Sequence, residues 1–106
     1  MAEATVATEV QAVEEALILP SQDSSAVRAQ RFVRRVLAGS DVDRDLVDVA
    51  VLMTKALVIN GILHVRSALA VTVRVVPESI RIEVVDRDRH VLPGAPQSWG
   101  VATISR

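Results

Sequence analysis

Asn60 and His64 interrupt a stretch that is otherwise almost entirely apolar, KALVINGILH, at positions 55 to 64. Asparagine, glycine and histidine are mediocre helix formers, so helix propensity does not explain their presence there. Residues four apart on a helix share one side, and an amide and an imidazole placed in this way can face the same cavity. The alternative is that Asn60 bonds to neighbouring backbone and His64 is a satisfied residue at a helix end.

Asp86 and Gly100 are candidates for a ligand site on different elements. Asp86 ends the apolar strand pattern IRIEVVD, where its carboxylate can accept a hydrogen bond from the amino group of a base. It can equally be a solvated aspartate that begins a turn. Gly100 lies in SWGVATIS, which we interpret as the first turns of a helix, and free N–H groups at a helix N-terminus can bind phosphate oxygens.

Arginines form a further candidate surface, because Arg28, Arg31 and Arg35 share one face of a helix predicted over 23–38. They form either a patch for phosphate or an acidic partner, or an ordinary solvated face whose stems cover apolar neighbours. A nucleic-acid-binding module that also uses Arg34 is a third possibility. The chain has 12 basic and 13 acidic residues and a net charge of −1, so it has no basic excess to attract phosphates. It also has only one Phe and one Trp on which bases could stack.

Length and composition restrict the class of protein. A chain of 106 residues suits one domain, and its 50% hydrophobic content, nearly all aliphatic, is ample for a core. The absence of cysteine excludes disulfides, a Cys-ligated zinc and a thiol nucleophile. The N-terminus lacks the basic start and apolar middle of a secretory signal, and Lys55 argues against a membrane span at 49–65. We therefore expect a cytoplasmic protein.

The elements that would position these residues follow from periodicity and turn signals. The prediction is a flexible tail over 1–12 and one domain over 13–106, of α+β class, a small, mainly antiparallel sheet with helices packed on one face. A long helix from about 41–43 to 64 is apolar nearly all round beyond Asp48, so we expect it to be covered on most sides. The remaining predicted elements are an edge strand at 16–19, hairpin strands at 71–76 and 80–86, a polar loop to 98, and a helix from 98 onwards.

The order of these motifs resembles that of the histidine-kinase-like ATPase superfamily, which has the Bergerat fold, and more narrowly the actinobacterial anti-sigma-factor serine/threonine kinases. LILPSQDSSAVRAQRFVRRVL, at 17–37, resembles their N-terminal strand ending in Leu-Pro and their arginine-rich helix. ALVING at 56–61, followed by His64, resembles the asparagine motif. Asp86 in VVDRD matches the adenine-binding aspartate, and SWGVATIS resembles the second glycine motif. The resemblance covers roughly 17–106.

The resemblance implies ATP and Mg²⁺ as cofactors. Asn60 would complete the coordination of the Mg²⁺ ion that holds the triphosphate, with water and phosphate supplying the other ligands. Asp86 would accept from the adenine amino group, and the backbone near Gly100 would meet phosphate. His64 and Asp88 complete the ATP-binding residues predicted in this way.

Departures from the family pattern leave two functions open. Ala56 stands where the family has the glutamate proposed as general base, Ser98 replaces a glycine, and the closing helix and last strands of the family pattern are absent. The first function is an ATP-binding anti-sigma-factor-type regulator of transcription, resembling serine/threonine kinases. The second is a catalytically dead protein-interaction domain of the same fold without nucleotide binding. Either would bind a sigma factor or an anti-sigma antagonist, and the resemblance also suggests a homodimer.

Overall fold

The computed structural model describes residues 12–87 and 98–106. The tail predicted over 1–12, apart from its last residue, lies outside this part of the chain, as do Asp88 and most of the loop predicted before Ser98. Six elements follow one another along the described residues: β1 (Val13–Pro20), α1 (Ser25–Ala38), α2 (Arg44–His64), β2 (Ala68–Val76), β3 (Ser79–Asp86) and β4 (Ser98–Ser105).

The four strands form one antiparallel sheet in the order β1-β2-β3-β4, so β1 and β4 are its edges. Both helices pack on the same face. Helix α1 lies over β1 and β2, while α2 lies mainly over β3 and β4. Buried aliphatic side chains from both helices and from β1, β2 and β3 form a single core between the two layers. The α+β class and the placement of the helices on one face are confirmed.

The hairpin prediction is also confirmed, with slightly longer strands. Val76 pairs with Ser79, so the connection is a two-residue turn of Pro77 and Glu78. On β3, Ile80, Ile82 and Val84 are fully buried. The residues between them are exposed or half-buried, so the sheet has one buried face and one wetter face, as its alternating sequence predicts.

The start of α1 depends on a serine inside the core. Ser24 is the N-cap residue but makes no capping hydrogen bond through its side chain. Ser25 is fully buried, and its hydroxyl donates to the Pro20 carbonyl at 2.7 Å. This bond ties the first turn of α1 to the end of β1.

Replacing Ser25 with alanine should therefore lower the free energy of unfolding by about 1 kcal/mol, because the hydrogen bond that joins the first turn of α1 to the end of β1 is lost. The Pro20 carbonyl still accepts from the Gln22 N–H, which limits the loss. Ser24→Ala is the matched control. Its hydroxyl is exposed and accepts only from the Gln22 side chain, so we expect a change within about 0.5 kcal/mol. Urea denaturation followed by circular dichroism measures both, and equal effects would refute the role given to Ser25.

Helix α2 is buried on one face alone. Its buried residues, which face α1 and the sheet, are Val47, Ala50, Thr54, Val58 and Gly61. Leu52 and Leu63, on the opposite side, are 68% and 75% exposed. The expectation that α2 is covered on most sides is therefore wrong: one layer of sheet and one helix can cover only part of its circumference.

Length and apolar composition alone would allow α2 to cross a membrane, a property that it shares with core helices of soluble proteins. The packing of its buried face against α1 and the sheet is consistent with a soluble protein.

The prediction of a helix from residue 98 onwards is wrong, because residues 98–105 form β4. Residues 100–105 alternate between half-buried and exposed, the period of a strand. Val101, Thr103 and Ile104 are β-branched and favour strands, whereas an isolated helix of about six residues has little stability. The open edge of β3 offers this segment a hydrogen-bonded partner that a short helix would lack.

Candidate functional site

Gly61 is buried where α2 packs against β2 and β3. A Cβ atom added to Gly61 would stand 3.0 Å from Val84 Cγ1 and 3.2 Å from Leu69 Cδ2. Glycine is therefore what allows the helix backbone to approach β2 and β3 at this point. The neighbouring Asn60 is exposed, one position round the helix from this contact.

Asp86 reaches the same region from the sheet. It pairs with Leu69 across the β2–β3 ladder, and it follows Val84 by two residues, which puts it on the helix-covered face at the end of β3. Leu69 is thus a common neighbour of Gly61 and Asp86. The structure brings Asn60 and Asp86 to one end of the domain, with His64 one turn beyond Asn60 on α2. We call Asn60, His64 and Asp86 the asparagine corner.

Gly100 has a different role from the one its motif predicts. It lies within β4, opposite Val84, and not at a helix N-terminus. A Cβ atom at this position would come within 2.5 Å of Leu57 Cδ2, so glycine here gives Leu57 of α2 room to pack on β4. Because residues 98–105 form a strand, no helix N-terminus is present there to offer backbone N–H groups to a phosphate. Phosphate binding by Gly100 stays a prediction, without the helix start on which it was based.

The donors at the asparagine corner fit a magnesium ion only weakly. Within residues 12–87 and 98–106, no three His, Asp or Glu side chains come together as metal ligands. Ala56 is exposed on the outer side of α2 and carries no carboxylate. An ion at Asn60 would depend on phosphate and water for most of its coordination, as Mg²⁺ commonly does in nucleotide sites.

A second candidate site lies between α1 and the edge strand β1. Arg28, Arg31 and Arg35 line a pocket of about 310 Å³ together with Leu17 and Phe32. We call it the arginine pocket. Leu17 is half-buried and Phe32 is buried, and they give the pocket an apolar floor. The Arg35 guanidinium lies 5.8 Å from the centre of the Phe32 ring, within the range of a cation–π contact.

The three arginines are available for an external anion. In the described part of the chain, carboxylates lie within 4.0 Å of Arg34, Arg74 and Arg81, but none does so for the three arginines of the pocket. Arg34 points elsewhere and pairs with Asp48 of α2 at 3.3 Å. The predicted shared face of Arg28, Arg31 and Arg35 is confirmed. Their forked guanidinium groups match the geometry of carboxylate or phosphate oxygens.

The sequence did not identify Leu17 or Phe32 as site residues. Leu17 belongs to β1 and not to the arginine-bearing helix, and the helical pattern of α1 predicts Phe32 only as an ordinary core residue. The one available signal was the spacing of Arg28, Phe32 and Arg35, which places an aromatic ring between two guanidinium groups on one helix face.

Comparison with protein-family models gives no match to this chain, and comparison with curated proteins gives none either.

Proposed function

We propose that this chain is a regulatory protein-interaction domain that binds an acidic segment of another protein in its arginine pocket. The observation that carries this proposal is a pocket in which three arginines surround an apolar floor, none of them with a carboxylate partner among residues 12–87 and 98–106. Guanidinium groups select anionic oxygens, and the floor of Leu17 and Phe32 favours a ligand that also carries an apolar side chain. Acidic protein segments combine both features, whereas inorganic anions and nucleic-acid backbones lack the apolar part.

The resemblance to anti-sigma-factor kinases supports a sigma factor or an anti-sigma antagonist as the partner class. In this proposal the domain regulates transcription in the cytoplasm by occupying its partner, without phosphoryl transfer. Ala56 supports that choice because an alanine can neither accept a proton nor orient a nucleophile. The strand at 98–105 supports it further, since it removes the helix start that was expected to hold phosphate.

The test is a binding screen of purified sigma factors and anti-sigma antagonists from the source organism, with the immobilised chain followed by biolayer interferometry. We expect saturable binding of a member of these classes, weakened when Arg28, Arg31 and Arg35 are all replaced by glutamine. Binding that this triple substitution leaves unchanged would refute the arginine pocket as the contact surface.

ATP binding is a second candidate function, favoured by the position of Leu69, which neighbours both Asp86 and Gly61, the residue that follows Asn60 on α2. Asn60 of α2 offers an amide that can contact a metal ion. Asp86 of β3 offers a carboxylate that can accept a hydrogen bond from adenine, and both residues lie at one end of the domain. Their placement at the same end of the domain supports a nucleotide site, although Gly100 contributes no helix start to it. The protein partner and the nucleotide would occupy separate sites.

An ATP titration followed by fluorescence of Trp99, the single tryptophan, tests this second function. If the asparagine corner binds ATP, the signal saturates, Mg²⁺ strengthens binding, and Asp86→Ala weakens it at least about tenfold by removing the acceptor for the adenine amino group. Asp48→Ala is the matched control, because it removes an exposed carboxylate from the other half of α2. A folded protein whose fluorescence does not respond to ATP would overturn the nucleotide site.

A further inference from the structure

The arginine pocket lies beside the open edge of β1. This strand pairs with β2 alone, so one side of its backbone has no neighbouring strand among the described residues. Leu17 of β1 lines the pocket. Ser25 ties the start of α1 to Pro20, and Val13 shares a cavity with Gly39 at the end of α1, so α1 runs back along β1 in the opposite direction. The pocket arginines therefore follow one another along this edge.

The hydrogen-bond register shows which backbone groups of β1 point away from the sheet. The Ser21 N–H donates to the Ser67 carbonyl at 3.2 Å, one pair beyond the end of the β1–β2 ladder. In an antiparallel ladder, hydrogen-bonded pairs alternate with pairs whose N–H and C=O groups point outwards. Counting back from Ser21, the backbone groups of Glu14, Ala16 and Ile18 point to the open edge. In the described part of the chain, the N–H groups of Ala16 and Ile18 make no hydrogen bond.

The middle of this edge lacks the features that usually stop another chain from pairing with an edge strand. Those features are prolines, bulges and charged side chains. Pro20 ends β1 at an outward position, where a proline removes no ladder hydrogen bond. Glu14 and Glu15 carry charges near the other end. Residues 16–19 between them are uncharged, and their pairing with β2 contains no bulge. One further strand can therefore pair with this stretch.

The spacing of the pocket arginines matches side chains on one side of an extended peptide. Arg28 and Arg35 are seven residues apart on α1, or ~10.5 Å along the helix axis. In a strand, alternate side chains point to one side, and the first and fifth residues are ~13 Å apart. The long arginine side chains can accommodate the difference. Acidic side chains at the first and fifth positions can thus reach Arg28 and Arg35, while the third side chain lies over the floor of Leu17 and Phe32.

We propose that the acidic partner segment binds as an extended strand on the open edge of β1, with acidic, apolar and acidic side chains at alternate positions facing the arginine pocket. This inference rests on the proposed function and adds the conformation and sequence pattern of the ligand. Backbone hydrogen bonds to Ala16 and Ile18 supply affinity, and the pocket selects the side chains. Glu15 lies on the same side of β1 as Leu17 but makes no ion pair with the pocket arginines in the described part of the chain.

Amide hydrogen exchange of the full chain, measured by NMR with a synthetic peptide, tests this geometry. The peptide Thr-Glu-Thr-Leu-Thr-Glu-Thr places both glutamates and the leucine on one side when it is extended. At saturation, we expect exchange of the Ala16 and Ile18 amides to slow at least about tenfold. The Leu17 and Leu19 amides already point to β2, so their exchange should not change. The control peptide Thr-Thr-Glu-Glu-Leu-Thr-Thr has the same composition but places its glutamates on opposite sides, and it should bind at least about fivefold more weakly.

Three outcomes of this experiment would overturn the inference. The first is a peptide that binds while exchange of the Ala16 and Ile18 amides stays unchanged, and the second is no binding up to millimolar peptide. The third is slow exchange of these two amides without peptide that becomes slower as the chain concentration rises, because a second copy of the chain would then occupy the edge.

Proline substitutions test the same edge with the protein partner found in the screen. Ala16→Pro removes an outward N–H and no β1–β2 hydrogen bond, so the variant should keep its fold, which circular dichroism checks. Thr103→Pro is the matched control on the other edge strand. The Arg106 N–H donates to the Glu78 carbonyl at 2.9 Å, and the same alternation makes the Thr103 N–H point outwards from β4.

We expect Ala16→Pro to weaken partner binding at least about tenfold and Thr103→Pro to weaken it less than about threefold. If the triple glutamine variant of the arginine pocket loses affinity while a folded Ala16→Pro variant binds as the wild type does, the pocket is the contact surface but strand addition is wrong. If neither the triple variant nor Ala16→Pro changes the affinity, the proposed function fails together with this inference.

Discussion

Replacing Gly61 with leucine is expected to lower the free energy of unfolding by about 3 kcal/mol. Even the first added carbon would lie 3.0 Å from Val84 Cγ1 and 3.2 Å from Leu69 Cδ2, and the rest of the side chain would have to enter the same packed contact. Val84 and Leu69 are fully buried, so neither can move into solvent. Helix α2 would have to shift away from the sheet. Leucine has a better helix propensity than glycine, but this difference offsets less than about 1 kcal/mol of the loss.

The matched control is the same substitution at Gly39. A Cβ atom there meets only the backbone oxygens of Arg35 and Val36, at 3.6 and 3.7 Å, and the position is exposed. We expect Gly39→Leu to change the free energy of unfolding by less than about 1 kcal/mol. Urea denaturation followed by helix circular dichroism measures both variants. If Gly61→Leu unfolds at the same urea concentration as the wild type, α2 does not pack on β2 and β3 as described.

Removing the three pocket charges is expected to weaken binding of the acidic partner by about 100-fold, equivalent to ~2.7 kcal/mol. The variant replaces Arg28, Arg31 and Arg35 with glutamine, which keeps similar stems over Leu17 and Phe32. The loss should grow at low ionic strength, because the wild-type attraction is screened less there. Interferometry with the partner found in the screen, at two salt concentrations, gives the measurement.

A second triple variant with the same change in net charge distinguishes the effect of the pocket on binding from the effect of the chain's overall charge. Glutamine at Arg34, Arg74 and Arg81 removes three positive charges that lie outside the pocket and pair with carboxylates of the same chain. Each of these exposed ion pairs contributes at most about 1 kcal/mol to stability, so the control should still fold. We expect its partner affinity to change less than about threefold. Equal losses in the two triple variants would mean that binding follows net charge and not the pocket.

The elements with strong periodicity could be predicted from the sequence. The predicted helix at 23–38 corresponds to α1 (Ser25–Ala38), and the long apolar helix corresponds to α2 (Arg44–His64). The hairpin was clear because its strands alternate around a proline turn. These features are local, since the periodic pattern of each segment records which side will be buried.

The failures concern features that depend on tertiary partners. Residues 98–105 include a glycine and small residues that a helix start also uses. Their β-branched residues favour a strand, but the hydrogen-bonded partner that a strand needs is the distant edge of β3. The exposure of Leu52 and Leu63 on one side of α2 could not be foreseen, because the sequence of an apolar helix does not show whether a neighbouring element covers it. The role of Gly61 depends on Val84 and Leu69, which are distant in the sequence.

The candidate sites were predictable to different degrees. The common face of Arg28, Arg31 and Arg35 follows from helical spacing, but the apolar floor of their pocket requires β1 to lie beside α1. The asparagine corner was expected from the order of motifs, and the pairing of Leu69 with Asp86, together with the contact of Gly61 with Leu69, explains why Asn60 and Asp86 lie at the same end of the domain. Asp88 lies outside the described residues and stays a prediction.

The most direct test of the central claim is the affinity of the chain for its protein partner with and without Mg²⁺ and ATP. If the domain acts through its arginine pocket as an interaction module, the dissociation constant is the same in both conditions and is unaffected by Asp86→Ala. An affinity that changes tenfold or more on addition of Mg²⁺ and ATP, and that loses this response in Asp86→Ala, would contradict the account and identify a nucleotide-controlled regulator instead.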